Sequence, residues 1–265
     1  MRRFPYWKPK KHPAQQQEEK TMNDTSAWKN KTLVEAFLNR NRAAIPNAAD
    51  QLNVMLHLLK HNERTVGRFV DLGAGDGILS QLILDRFHNA SACLVDFSEP
   101  MIEAARCRLQ KDADRVQLIQ ADLHTPSWLQ QLPPDSSGKM DAVVSGYCIH
   151  HLPNPRKYEL YQEVHQLLAK NGLFINIEHV ASKSAWGERV NEEAFIDAML
   201  QQEETLPNPR SREEVSQAHR KRADEKENIL LSVEVQCEWL REIGFEDVDV
   251  FFKSYELAVF AGKKL

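Results

Sequence analysis

The chain is predicted to fold as an α/β domain with a doubly wound, mostly parallel sheet. Three observations predict it. Short apolar runs alternate with amphipathic segments from Val66 to Val180, the pattern of right-handed strand–helix–strand crossovers. The stretch "VDLGAGDG" packs Gly73, Gly75 and Gly77 into five positions directly behind the first of those runs. The chain ends in "EDVDVFFKSYELAVFAGKK", two apolar runs separated by a few residues near Lys253–Tyr255, which read as an antiparallel hairpin added to the sheet.

Taken in order, residues 1–22 mix Pro, Gln and Lys without periodicity and read as a tail, and 23–265 as one domain. Cap helices fill 23–60. The first runs from Asp24 to Arg42 with Trp28, Leu33, Phe37 and Leu38 on its apolar positions and Asp24 as cap; the second resumes after Pro46 and runs through Leu59. "VGRFVDL" is the first strand and "ILSQLILDRF" a helix. "SACLVDF" is the second strand, followed by a helix over Pro100–Gln110 opened by Ser98. "RVQLIQAD" and "MDAVVSGY" are the third and fourth strands. A helix over Arg156–Ala169 leads to "GLFINIEHV", the fifth. The charged stretch from Ser182 to Asn228 breaks the rhythm, so 182–228 is expected to be a helical lid insertion. "SVEVQCEWLREIGF" is a helix stopped by Gly244, and the final hairpin brings the sheet to seven strands.

Composition bounds the function. With 265 residues, 42% hydrophobic and 27% charged, there is material for a full core. A net charge of −4 gives the whole chain no attraction for nucleic acid, so nucleic-acid partners are disfavoured, although the basic start "RRFPYWKPKK" keeps an RNA contact open. The four cysteines lack CxxC spacing and read as buried thiols in a reduced, cytoplasmic setting. No run is long enough to cross a membrane, no metal spacing stands out, and monomer and homodimer both stay open.

The glycine loop lies where parallel sheets bind ligands, beyond the carboxyl ends of the strands. A dinucleotide loop needs a third glycine at 78, and that residue is Ile78. The glycines instead follow G-x-G-x-G with Asp71 two positions ahead. A carboxylate there repels a phosphate and suits an ammonium or a sulfonium. Asp96 ends the second strand, where a carboxylate can accept from both ribose hydroxyls. Asp122 ends the third, where it can accept from an adenine amine with Leu123 beside the ring. Adenosine joined to a cationic amino acid is S-adenosyl-L-methionine.

The motifs "VDLGAGDG", "LVDFSEPMIEAA", "QADL", "DAVVSGYCIHHL" and "LLAKNGLFINIEH" resemble, in order, those of class I S-adenosylmethionine-dependent methyltransferases, tightly over Val66–Gly172. The C-terminal stretch resembles the small-molecule branch. The segment "RAAIPNAADQLNVMLHLL" is similar to cap helices of enzymes of the tRNA wobble-uridine carboxymethyl pathway. The resemblance implies a Rossmann-like fold. It gives the methionine portion to Asp71 and to Gly73, Ala74, Gly75 and Gly77, the ribose to Asp96 with Phe97, the adenine to Met101, Asp122 and Leu123, and the methyl end to Ser145 and Gly146. "SGYCIHH" departs from the Asn-Pro-Pro-Tyr and Pro-Cys patterns of nucleic-acid base methylation. Candidate bases at the strand ends are His150, His151 and His179, with Glu178 and Tyr147 close in sequence. Trp186, Phe195 and Met199 form an apolar stripe in the insertion, and Arg220, Lys221 and Arg222 a basic run.

The expected activity is therefore in-line methyl transfer to a small molecule. Alternatives are a tRNA-modification or carboxy-S-adenosylmethionine-type enzyme, and a non-catalytic S-adenosylmethionine-binding protein. A nicotinamide dehydrogenase is weakened by Ile78 and Asp71.

Overall fold

The structure, a computed structural model, describes residues 27–39 and 45–265. The expected tail over 1–22 and the Asp24 cap lie outside the described residues.

Seven strands form one sheet in the order β3-β2-β1-β4-β5-β7-β6: β1 Arg68–Leu72, β2 Ser91–Asp96, β3 Val116–Gln120, β4 Met140–Gly146, β5 Leu168–His179, β6 Glu246–Ser254 and β7 Leu257–Lys264. The first five pair in parallel, and β7 runs antiparallel to both β5 and β6. Their apolar runs pack on two faces. On one, Val70, Val143 and Phe174 meet Leu160 and Val164 of α5 (Asn154–Leu167) and Leu240 of α8 (Val233–Ile243). On the other, Phe69, Leu94 and Val144 meet α2 (Ala48–His61), α3 (Ile78–Arg86) and α4 (Glu99–Arg108) through Met55, Ile83 and Ala105. The order reverses between β1 and β4, and the ligand crevice opens at that switch point.

Local chemistry sets the helix ends. Ser98 Oγ accepts the Met101 N–H to cap α4, and Gly244, at φ 112, stops α8. The first cap helix starts later than its periodicity suggests. α1 spans Lys31–Asn39, because Asn30 Oδ1 accepts from Thr32 N and Leu33 N and starts a new helix there. Trp28 is thereby left in a separate 3-10 turn, Ala27–Lys29. Arg156–Ala169 is corrected at both ends. α5 begins at Asn154, and Leu168 and Ala169 belong to β5. Leu168 pairs with Met140, a bond from the neighbouring strand that no local pattern announces.

The insertion holds α6 (Ala185–Glu203), α7 (Arg212–Arg220) and a 3-10 turn over Ala223–Glu227. A capping box between Ser211 and Glu214 opens α7. The cap helix α2 lies across the final hairpin, with Asn47 Nδ2 donating to Ser254 Oγ at 3.1 Å.

Candidate functional site

The crevice beyond the ends of β1, β2, β3 and β4 encloses about 1210 Å³ out to its open mouth. Its floor is the turn between β1 and α3. Gly73 adopts φ 64, and a Cβ there would lie 2.0 Å from Cys148 Sγ, so only glycine lets the loop after β4 pass this close. Gly75 donates its N–H to Asp96 Oδ2 at 2.8 Å. Gly77, at φ 79, serves packing instead: a Cβ would meet Leu109 Cδ1 at 2.9 Å, and it does not line the crevice.

Asp96 sits at the carboxyl end of β2, 7% exposed, with Oδ1 accepting from Ser98 N at 2.8 Å. Burial pushes its carboxyl up to about 6 against the pull of the Ser98, Gly75 and Phe97 N–H groups. Both oxygens are anchored by backbone, and each keeps acceptor capacity for a hydroxyl. Asp122 accepts from His124 N and from His124 Nδ1, both at 2.9 Å, and lines the crevice beside Phe97, Met101, Ala121 and Leu123.

Asp71 is placed differently from a simple contact residue. It is completely buried in β1 behind the loop, outside the crevice lining, with Oδ2 accepting from Ser80 Oγ at 2.7 Å. Its Oδ1 is buried with no hydrogen-bond partner. Burial pushes the carboxyl up to about 7, and the nearby Asp96 and Asp76 push the same way. An orphaned buried carboxylate oxygen among acids is the electrostatic deficit that a cation in the crevice would relieve. Ser145, expected at the methyl end, is turned inward instead: fully buried, its Oγ donates to Leu72 O at 2.9 Å. Its neighbour Gly146 does line the crevice.

The three histidines separate. His151, in the 3-10 turn Ile149–His151, reaches the crevice. Its Nδ1 lies 3.4 Å from the Glu227 carbonyl, and burial pulls the ring down to about 3, so it is neutral at pH 7. His150 and His179 do not line the crevice. His150 Nδ1 sits 2.6 Å from Glu178 Oε1 and His179 Nε2 3.2 Å from Glu256 Oε2. They form a polar layer behind His151, His150 buried and His179 half-buried, and the ring centroid of His151 is 4.0 Å from that of His150.

Sequence reasoning passed over three wall residues. Gln51 is 1% exposed and shares the buried stripe of α2 with Met55 and Leu59; a polar residue at an i, i+4, i+8 apolar position was the available signal. Trp28 covers the crevice with its carbonyl fixed by Ser98 Oγ at 2.6 Å, its ring centroid 6.2 Å from that of His151. His124 follows Asp122 by two residues and orients it.

The insertion stripe lies away from the crevice. None of Trp186, Phe195 and Met199 lines the crevice; Trp186 is 69% exposed, and Phe195 stacks on His219. Arg220 pairs with Glu192 and Glu193, and Arg222 with Asp224 and Glu225. The insertion reaches the site through Glu227, whose Oε1 accepts the Ala27 N–H at 2.9 Å. Of the four thiols, Cys107 is exposed rather than buried.

Residues 69–172 match a family described as a methyltransferase domain. Carboxy-S-adenosyl-L-methionine synthase of Nautilia profundicola is 22% identical over 235 residues, 88% of this chain and 91% of that protein. Among solved structures, an O-methyltransferase family protein from Burkholderia thailandensis superposes with a TM-score of 0.61 at 14% identity, over 89% of this chain and 61% of its own. Human N-acetylserotonin methyltransferase, in complex with S-adenosylmethionine, gives 0.57 at 11% identity, over 89% and 57%. This chain spans less than two thirds of the length of either solved structure. The matched segment contains the glycine loop, the strand-end carboxylates and the histidine turn, and residues 69–172 of the chain therefore form a methyltransferase domain.

Proposed function

We propose that the protein transfers the methyl group of S-adenosyl-L-methionine to an uncharged small molecule. The observation that carries this reading is the charge of the crevice wall. Among the described lining residues, Asp96 and Asp122 are the ionisable carboxylates and no Lys or Arg is present. Trp28, Ile45, Leu52, Leu79, Leu152 and Ile177 make much of the remaining wall apolar. Such a wall receives a cationic nucleoside and an apolar acceptor. Its described residues offer an anionic acceptor no counter-charge.

S-adenosyl-L-methionine supplies an activated methyl group on a sulfonium, ready for in-line displacement. The chain's own residues bind, orient and dry the site. Asp96 is assigned the ribose hydroxyls; Asp122, Leu123, Phe97 and Met101 the adenine; Gly73, Ala74 and Gly75 the methionine portion; and Gly146 the methyl end. Asp71 acts from beneath, its carboxyl drawn toward the ionised form when the cation binds. His151 is assigned the acceptor's proton. With Nδ1 turned to the Glu227 carbonyl, Nε2 is the accepting nitrogen. Once protonated, its ring is favoured by the charges of Glu178 and Asp224. His150 and His179, paired with Glu178 and Glu256, support that ring from behind. Burial holds the Cys148 thiol well above its ordinary range, so it is not a nucleophile.

A second reading, synthesis of a carboxylated form of the cofactor, is favoured by the length over which the Nautilia profundicola synthase aligns. Mass spectrometry of the nucleoside retained through purification separates the two. The first reading expects the ordinary cofactor or S-adenosylhomocysteine, and methyl label entering an uncharged metabolite in cell extracts. An extra carboxylate on the retained species, or no label in any extract, would overturn it. Cys107, an exposed thiol, fits the reducing cytoplasm.

A further inference from the structure

Tyr147, the first residue after β4, adopts φ 52. A bulky residue is rarely found in this left-handed conformation, and it persists only where its surroundings hold it. Two contacts hold Tyr147. Its N–H donates to the Ile177 carbonyl at 2.8 Å, which continues the β4–β5 pairing. Its hydroxyl donates to Gln51 Oε1 on α2. The Gln51 amide is oriented in turn, because Nε2 donates to the Pro46 carbonyl at 2.8 Å and leaves Oε1 to accept. A half-buried relay therefore runs from the end of β4, beside the glycine loop, to the turn that starts α2. Tyr147 and Gln51 both line the crevice, with Ile45, Ala48 and Leu52 of the same cap.

A strand end that needed a left-handed residue only for its turn would be served by glycine without strain. Here the ring and hydroxyl are kept. Neither partner acts as acid or base in the transfer: an amide does not ionise, and burial raises the phenol further from neutrality.

We infer that Tyr147 and Gln51 are positioning residues that latch the α2 cap over the bound cofactor, the left-handed backbone of Tyr147 aiming its hydroxyl at Gln51. This rests on the reading that the crevice holds S-adenosyl-L-methionine.

The test compares the full chain with Tyr147→Phe, Gln51→Leu, the double variant and Tyr147→Gly. Affinity and dissociation rate for S-adenosylhomocysteine are measured by calorimetry and stopped flow, and stability without ligand by thermal melting. Each of the first two substitutions is expected to weaken binding about tenfold, the loss of one half-buried hydrogen bond. The change should fall mostly in the dissociation rate. The double variant should be no weaker than either single one, since both break the same bond. Tyr147→Phe, which keeps the ring packed, should melt close to wild type when ligand-free, whereas Tyr147→Gly gives up the ring's packing as well and should both melt lower and bind more weakly. Wild-type affinity in Tyr147→Phe, additive losses in the double variant, or a lowered melting temperature with affinity intact would overturn the latch. A wild-type protein that does not bind S-adenosylhomocysteine would overturn the crevice reading itself, and the latch with it.

Discussion

Replacing Asp71 with asparagine should make the ligand-free protein more stable at pH 8, although it removes a residue at the heart of the site. The carboxyl is completely buried, one oxygen has no partner, and burial lifts it to about 7 against 3.8 for an exposed aspartate. Holding it ionised at pH 8 therefore costs the fold roughly 4 kcal/mol, at 1.36 kcal/mol for each tenfold step. The sign follows from the raised value. The penalty is full above about 7, shrinks as pH falls, and is gone below 3.8. Asparagine is neutral throughout, and its carbonyl oxygen can still accept from Ser80 Oγ. Its NH2 group takes the place of an oxygen that lacks a partner, which costs about 1–3 kcal/mol. The net expectation is a gain of about 1–3 kcal/mol at pH 8, falling to within about 1 kcal/mol of zero at pH 5. Urea denaturation of both proteins at the two pH values measures it. The same substitution should weaken S-adenosyl-L-methionine binding, because the negative field under the loop is lost. A variant less stable than wild type by the same amount at pH 8 and pH 5 would refute the reasoning, showing that the carboxylate is already compensated.

Asp96→Ala should weaken S-adenosylhomocysteine binding by about 1–3 kcal/mol, the loss of a charged partner for hydroxyls. Wild-type affinity should fall as pH drops through about 6, where Asp96 takes up a proton; pH-independent calorimetry between 5 and 8 would remove the ribose assignment. Gly73→Ala places a Cβ 2.0 Å from Cys148 Sγ at φ 64, and should cost about 2–5 kcal/mol in chemical denaturation. Adding Cys148→Gly should restore the packing part of that loss and leave the backbone part. His151→Ala should slow methyl transfer about 10²–10⁴-fold while leaving S-adenosylhomocysteine affinity near wild type; equal losses in both would make the ring a binding residue.

What could be read from the sequence was what local chemistry determines. The spacing of Gly73, Gly75 and Gly77, Ile78 where a dinucleotide loop needs glycine, and aspartates at the ends of two successive strands all lie within short segments. They led to the sheet, the floor of the crevice and the cofactor. Contacts between distant segments stayed hidden. Nothing near Gln51 announces that its amide meets Tyr147 across the crevice, or that Leu168 is drawn into a strand by Met140. His150, His151 and His179 look equivalent as strand-end histidines, and tertiary packing alone separates the one in the wall from the two behind it. The apolar stripe of α6 is open for the same reason, since helical spacing does not say which neighbour a face meets.

The hydrogen bond between Asn47 and Ser254 gives the molecule an order of assembly. During synthesis the floor of the crevice leaves the ribosome long before the last hairpin does. The roof has been made earlier still, yet part of its seat is missing until β6 and β7 join the sheet. A nascent chain lacking β6 and β7 would carry the carboxylates but hold the nucleoside less firmly, so full affinity arrives only once those two strands are made.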